Sequence, residues 1–369
     1  MRPLMRQALV SASLLLAVSC REASPLATLL VIHRGVTAVA PDGESQVLLD
    51  PEDGAVPSQP TWAPDGTFAV WTEIAADGSS ATIAMGNEES QRRIDGGTAP
   101  FFYGFSPNGE SLAYLGNDPG GGGVALGLLN VAAGTARLVD AGQPYYLDWS
   151  PDGSQLAVHA NQSDLYLLDE AGNRTDLDAQ PGLFQAPAFL TDDRLLIING
   201  ENLAVLDIHS SDVRDLATVS RFSAFAPSPN GERVAFIDNS EAAPGALSVV
   251  SIEQGEAQRI EDDPVVMFDW SPDGSRLLYL TLTQEGLVPF VWTESETTGG
   301  ELFLPTRTFF QSYLPFWDQY SRFLTMWRSD GSGYILPRTN GDAAEIAFYP
   351  SDGAESQVVA QGEMAVPAP

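Results

Sequence analysis

Trp149-Ser150-Pro151-Asp152-Gly153 returns with little change as Trp62-Ala63-Pro64-Asp65-Gly66, Phe105-Ser106-Pro107-Asn108-Gly109, Pro227-Ser228-Pro229-Asn230-Gly231 and Trp270-Ser271-Pro272-Asp273-Gly274. Weaker copies stand at Phe189-Leu190-Thr191-Asp192-Asp193 and Trp327-Arg328-Ser329-Asp330-Gly331. From one leading residue to the next the steps are 43, 44, 40, 38, 43 and 57 residues. A recurring step of about 42 residues is the period of a four-stranded propeller blade. Within the motif, proline presets φ, Asp or Asn hydrogen-bonds local backbone, and glycine takes the left-handed conformation that closes the reversal. A short strand ending in an aromatic precedes the turn (Tyr145 to Trp149), and an apolar strand follows it (Gln155 to His159, Arg276 to Leu280). Third strands (Asp164 to Leu168, Asn202 to Leu206, Ala246 to Val250) and outer strands such as Ala257 to Ile260 complete a meander. The leading aromatics Trp62, Phe105, Trp149, Trp270 and Trp327 are expected to pack between blades, each burying about 150–250 Å². Asp65, Asn108, Asp152, Asn230, Asp273 and Asp330 recur with the turn itself, so they are assigned to turn chemistry and not to a catalytic carboxylate ring.

These motifs resemble the TolB-like propeller repeat, whose signature is Trp-Ser-Pro-Asp-Gly followed by an apolar strand. The resemblance covers most of residues 29–360 and implies an all-β toroid of four-stranded antiparallel blades, with the leading strand of each blade lining a central channel. Ahead of the motif-bearing modules lie Thr28 to His33, Val36 to Ala40 and Gln46 to Leu49, which read as the second, third and fourth strands of a blade lacking its first. Glu363 to Pro367 follows the last outer strand, as inner strands do elsewhere, and is expected to supply the missing one. Shared strands would close the ring and leave no free sheet edge. Eight blades are therefore expected, with seven plus extra amino-terminal strands as the alternative.

Residues 1–19 read as a secretion signal, with Arg2 and Arg6 ahead of an apolar run from Ala8 too short to span a bilayer. The single cysteine, Cys20, follows Ala17-Val18-Ser19, which resembles the lipobox of bacterial lipoproteins and implies cleavage before Cys20 and lipidation of its thiol. Alanine at 17 in place of the usual leucine departs from that pattern and leaves ordinary signal-peptidase cleavage open. Residues 20–28 would form a short tether, and residues 29–369 the propeller, anchored at the bacterial cell envelope by lipid alone.

All 18 basic residues are arginine against 49 acids, a net charge of −31. Without lysine there is neither a Gly-Lys-Ser/Thr phosphate loop nor a Schiff-base nucleophile. One cysteine and three histidines (His33, His159, His209) exclude thiolate zinc sites. The charge repels nucleic acid and anionic bilayers. Gly120 to Gly123 lack the helix start and basic neighbours of a phosphate cradle and read as a hairpin tip. Gly104-Phe105-Ser106-Pro107-Asn108 is the nearest string to a nucleophile elbow and belongs to the turn motif. Asp50, Glu52, Asp53, Asp192 and Asp193 are the acids considered for Ca²⁺, but no twelve-residue calcium loop is present, and no cofactor is expected.

The long step of 57 residues marks an insertion at 306–320 with six aromatics and only two charges. Phe309, Phe310, Tyr313, Phe316, Trp317 and Tyr320 are candidate anchors for a partner, since aromatics dominate binding hot spots. The competing reading is a loop that covers apolar surface at a channel mouth. Together these features point to a monomeric, non-enzymatic envelope lipoprotein whose propeller is a scaffold for a protein or peptide. The runner-up is an extracytoplasmic metal-dependent propeller enzyme, hydrolase or lyase, with a small substrate in the channel.

Overall fold

The computed structural model describes residues 29–32, 35–39, 45–49, 54–87, 89–182, 185–239 and 244–369. The signal sequence, Cys20 and the tether lie outside them, as do His33, Asp50, Glu52 and Asp53.

The chain folds into a ring of eight antiparallel blades. Blades 1 to 6 each contain four strands in sequence order, beginning with Val56–Trp62, Pro100–Phe105, Tyr145–Trp149, Ala188–Thr191, Ala224–Pro227 and Val265–Trp270. Blade 7 has three strands, Gly333–Asn340, Ala343–Pro350 and Gln357–Gln361, and its innermost place holds only isolated bridges, Trp327 with Tyr334 and Pro305 with Arg338. Blade 8 joins Leu29–Ile32, Val36–Val39 and Ser45–Leu49 to Met364–Pro367. Leu29 pairs with Pro367 and Ile32 with Met364, so the two ends of the chain share one sheet, as the sequence implied.

The turn motif works as its chemistry requires. In Trp149 to Gly153 the Gly153 N–H donates to the Ser150 carbonyl at 2.8 Å, with Gly153 at φ +74°. Ser150 Oγ donates to Asp152 Oδ1 at 2.6 Å, and Ser154 N donates to the same oxygen at 2.9 Å. Asp273 is bonded in the same way by Ser271 and Ser275, which holds its carboxyl down at about 2. These carboxylates are committed to their own turns.

Each strong tryptophan also joins one blade to the one before it. Trp149 Nε1 donates to the Gly104 carbonyl at 3.0 Å, Trp270 to Ala226 at 3.1 Å and Trp327 to Asp269 at 3.0 Å. Trp62 does the same across the chain ends, to Val366 at 3.1 Å. Deleting residues 363–369 removes this acceptor together with buried Met364, Ala365 and Val366, and bares the edge of Leu29–Ile32. At about 1.5–3 kcal/mol per large buried side chain, the truncated protein is expected to lose at least about 3 kcal/mol and to melt in a broadened transition. A thermal melt matching that of the full chain would show that the closure does not hold the ring together.

Candidate functional site

The inserted segment lies inside the ring, where the innermost strand of blade 7 would otherwise run. It enters past Thr306, whose Oγ1 donates to the Glu363 carbonyl at 2.5 Å, and makes three short helical turns, Phe309–Tyr313, Leu314–Phe316 and Trp317–Tyr320. It then passes along the channel to Trp327 at the motif end.

A helical segment fits here because its side chains radiate toward several blades at once. Gln319, 4% exposed, uses its amide as one residue of a neighbouring strand would: Oε1 accepts from Leu147 N at 2.8 Å and Nε2 donates to Leu147 O at 2.9 Å. Tyr320 donates its hydroxyl to Gln59 Oε1 at 2.9 Å and lies 3.3 Å from the Phe101 carbonyl. Trp317 Nε1 donates to Phe268 O at 2.9 Å, and Arg322 Nη2 donates to Phe225 O. Met326 N and Thr325 Oγ1 both donate to Asp269 Oδ2, at 2.7 and 2.9 Å. Phe323 lies against the inner strand of blade 2 because residue 104 is glycine; a Cβ there would stand 2.6 Å from its ring. Phe102 packs on both Tyr320 and Phe323, with ring centroids 5.3 and 5.4 Å away. The segment is a plug, tied by hydrogen bonds to blades 1, 2, 3, 5, 6 and 8.

This placement divides the six candidate aromatics. Phe309, Tyr313, Trp317 and Tyr320 are buried among the blades, because the segment that carries them fills the channel. Phe310 and Phe316 are 52% and 53% exposed, at the mouth where the innermost strands begin. Leu282, Leu302 and Leu304 are exposed nearby, brought together by the pairing of Leu287 with Phe303. Two recesses of about 600 Å³ flank the plug at this mouth and share Tyr146. One is lined by Phe222, Phe268, Phe310, Trp317 and Asp318 among others, the other by Gln59, Phe101, Gln143, Phe316 and Tyr320. A third recess, about 280 Å³, opens at the opposite mouth between Arg322, Asp269 and Pro369.

The channel also holds titratable groups that the sequence reading missed. Asp148 and Asp269 occupy equivalent places, each immediately before a motif tryptophan, and each accepts a backbone N–H from the next unit: Asp148 from Phe189 at 2.8 Å, Asp269 from Met326. Burial pushes both carboxyls up to about 7, against the pull of Arg322 on the first and of the Met326 and Thr325 hydrogen bonds on the second. Asp318, on the plug, is raised to about 6 by burial, opposed by backbone hydrogen bonds and by Arg322. Asp148, Asp318 and Arg322 keep a little solvent contact yet are ringed by protein. A carboxylate directly ahead of the aromatic, and acid and arginine four residues apart in an apolar insertion, were the available signals.

The other candidates resolve individually. His159 is buried with Nδ1 2.9 Å from the Gln185 carbonyl, and His209 pairs with Asp193 at 2.9 Å on the surface. Asp192 accepts from Asp152 N. The N–H groups of Gly120 and Gly122 turn inward onto the Asp118 carboxylate. Among the described residues no three His, Cys, Asp or Glu side chains are grouped to hold a metal ion, and no helix is long and apolar enough to cross a membrane.

No protein-family model and no curated protein matches this chain. Solved structures do match. A prolyl endopeptidase is 13% identical, with a TM-score of 0.58 over 85% of this chain and 50% of its own, so the chain spans half the length of that enzyme. A eukaryotic initiation factor is 10% identical, with the same TM-score of 0.58 over 94% of this chain and 99% of its own. TolB from Acinetobacter baumannii is 14% identical over 81% of this chain and 76% of its own, with a TM-score of 0.45. At these identities the likeness is one of fold, a β-propeller, and a peptidase and an initiation factor share it equally.

Two outcomes follow from the geometry. Gln319→Ala strands the buried N–H and C=O of Leu147 and is expected to cost about 2–4 kcal/mol, measurable by urea unfolding; a loss under about 0.5 kcal/mol would mean the pair is replaced by water. The three raised carboxyls hold protons more tightly folded than unfolded. Their contribution to stability is therefore complete below their ordinary value near 3.8 and is lost as pH rises through about 6 to 7. Asp269→Asn, which keeps an acceptor for Met326, is expected to flatten the fall of Tm between pH 4 and 7.5, and an unchanged slope would remove Asp269 as a source.

Proposed function

We propose that this chain is a non-enzymatic TolB-like envelope lipoprotein whose propeller binds a protein or peptide at the mouth carrying Phe310 and Phe316. The observation that carries this reading is the plug. Its side chains occupy the channel and leave two rings exposed beside two apolar recesses. Exposed aromatics at the rim of pockets are the usual makings of a binding hot spot, whereas singly scattered apolar residues are not. The alternative, a metal-dependent enzyme, needs substrate and ligands in the channel, and this chain places Trp317, Gln319 and Tyr320 there. Envelope location rests on the signal-like residues 1–19 and Cys20.

Both halves are testable. In a bacterial host the full chain is expected to incorporate labelled palmitate and partition with membranes, and Cys20→Ser to do neither; equal labelling would remove the anchor. In pull-downs from envelope membranes, Phe310→Ser with Phe316→Ser is expected to lose a partner that the parent retains. Because both rings are exposed, the double variant should melt within about 1 °C of the parent, in keeping with surface substitutions. Equal retention by the two proteins sinks the assignment of this face.

A further inference from the structure

The recess under Phe310 differs from its twin in one respect. Both are of a size that takes small ligands or peptide side chains, and both are lined mainly by apolar groups. Among the described residues lining the twin, no side chain carries a formal charge, and its polar groups are amides and hydroxyls. The recess under Phe310 has one charged side chain among the described residues that line it, Asp318, with the Tyr146 phenol, the Asn239 amide and the Ser321 hydroxyl as its neutral polar groups.

Behind this wall two carboxyls face one guanidinium. Asp318 and Asp148 share a single guanidinium, Arg322, which feels both carboxylates but makes no ion pair within 4.0 Å with either. Arg322 Nη2 is given to the Phe225 carbonyl, its Nε is buried without a hydrogen-bond partner, and its side chain faces the opposite recess. Tyr146 faces Asp318 from blade 3 and stays protonated, its hydroxyl pushed far up by burial and by Asp318. With both carboxyls ionised the group is one positive charge short, and the open side of Asp318 is the recess. A buried carboxylate is tolerated when a cation pairs with it. Phe310, Trp317 and Tyr146 also line this space, and aromatic rings attract a cation over their faces.

We propose that this recess binds a primary ammonium carried on an apolar body, with the ammonium on Asp318 and the apolar part against Phe222, Phe268 and Phe310. The proposal rests on the reading of this mouth as the binding face and names the chemistry it selects. A lysine side chain flanked by apolar residues and the free amino terminus of an apolar peptide present the same group. The protein, at −31, favours approach of either.

Three tripeptide amides test it by calorimetry, with tryptophan fluorescence reporting Trp317: acetyl-Phe-Lys-Phe, acetyl-Phe-norleucine-Phe, and Phe-norleucine-Phe with a free amino terminus. At least one ammonium-bearing peptide is expected to bind the full-length protein tenfold or more tighter than the acetylated norleucine peptide, and the tighter of the two assigns the source. This comparison needs no variant. Asp318→Asn keeps an acceptor for backbone and is expected to remove that tenfold preference. Equal binding of charged and uncharged peptides, or an Asp318→Asn protein that keeps the preference, overturns the proposal. If charged and uncharged peptides bind equally and both are lost in Phe310→Ser with Phe316→Ser, the ammonium proposal falls while the binding face stands. If no peptide binds, the proposal falls and the pull-down alone bears on the face.

Discussion

An inner strand of a propeller blade has a sheet partner on one side only, and the groups on its free side need partners that the sheet cannot supply. In this protein the partner is often an indole. A tryptophan N–H from the next blade reaches the carbonyl of Gly104, Ala226, Asp269 or Val366, with the ring packed between blades. Serine or phenylalanine could not do both tasks, since one lacks the area and the other the donor. The repeat of Trp-Ser-Pro-Asp-Gly is thus one unit of inter-blade bonding followed by one unit of chain reversal. Where Phe105, Phe189 and Pro227 replace tryptophan, the indole donor is missing, and at the third-to-fourth blade step the Phe189 N–H meets Asp148 instead.

Eight blades stand at the upper end of the usual range and enclose a wide channel. The space has to be filled by water or by protein. Here blade 7 gives up its innermost strand, keeps only the isolated bridges of Trp327 to Tyr334 and Pro305 to Arg338, and sends the freed chain into the axis as helical turns. Helical residues satisfy most of their own backbone, so the helical turns of the plug address their neighbours mainly through side chains. Gln319 shows the economy of this arrangement, since one amide completes the hydrogen bonding of Leu147 without a strand beside it.

The repeat, its meander and the closure by Met364–Pro367 were legible because each rests on local chemistry that recurs at a fixed spacing. The insertion was legible as an insertion, but not as a plug. Six aromatics in fifteen residues suit a binding loop and a buried stopper equally, and hydrophobicity alone cannot tell a channel from a surface groove. What separates them is three-dimensional: Gln319 finds an unpaired strand residue, Phe323 finds a glycine, and Phe310 and Phe316 find neither. The channel carboxylates were missed for a related reason. Asp148 and Asp269 sit beside the motif tryptophans and read as part of the repeat, although the equivalent residues of other blades are Thr61, Gly104, Ala188 and Ala226.

The aspartates divide into two groups, and position rather than residue type sets the division. Turn aspartates such as Asp152 and Asp273 accept several short hydrogen bonds at the solvent edge and lie below the ordinary carboxylate range. Asp148, Asp269 and Asp318 lie deep in the ring, and burial displaces them upward. The first group recurs with the turn, Asn108 and Asn230 taking its place at two of the five strong copies, and therefore reports on folding. In the second, Asp148 and Asp269 meet the next unit where that unit departs from the repeat, and only Asp318 among the three borders an apolar recess beside the exposed Phe310. A scaffold built from near-identical blades can acquire a specific site only where its symmetry fails, and in this chain the sharpest failure is the plug that replaces a strand.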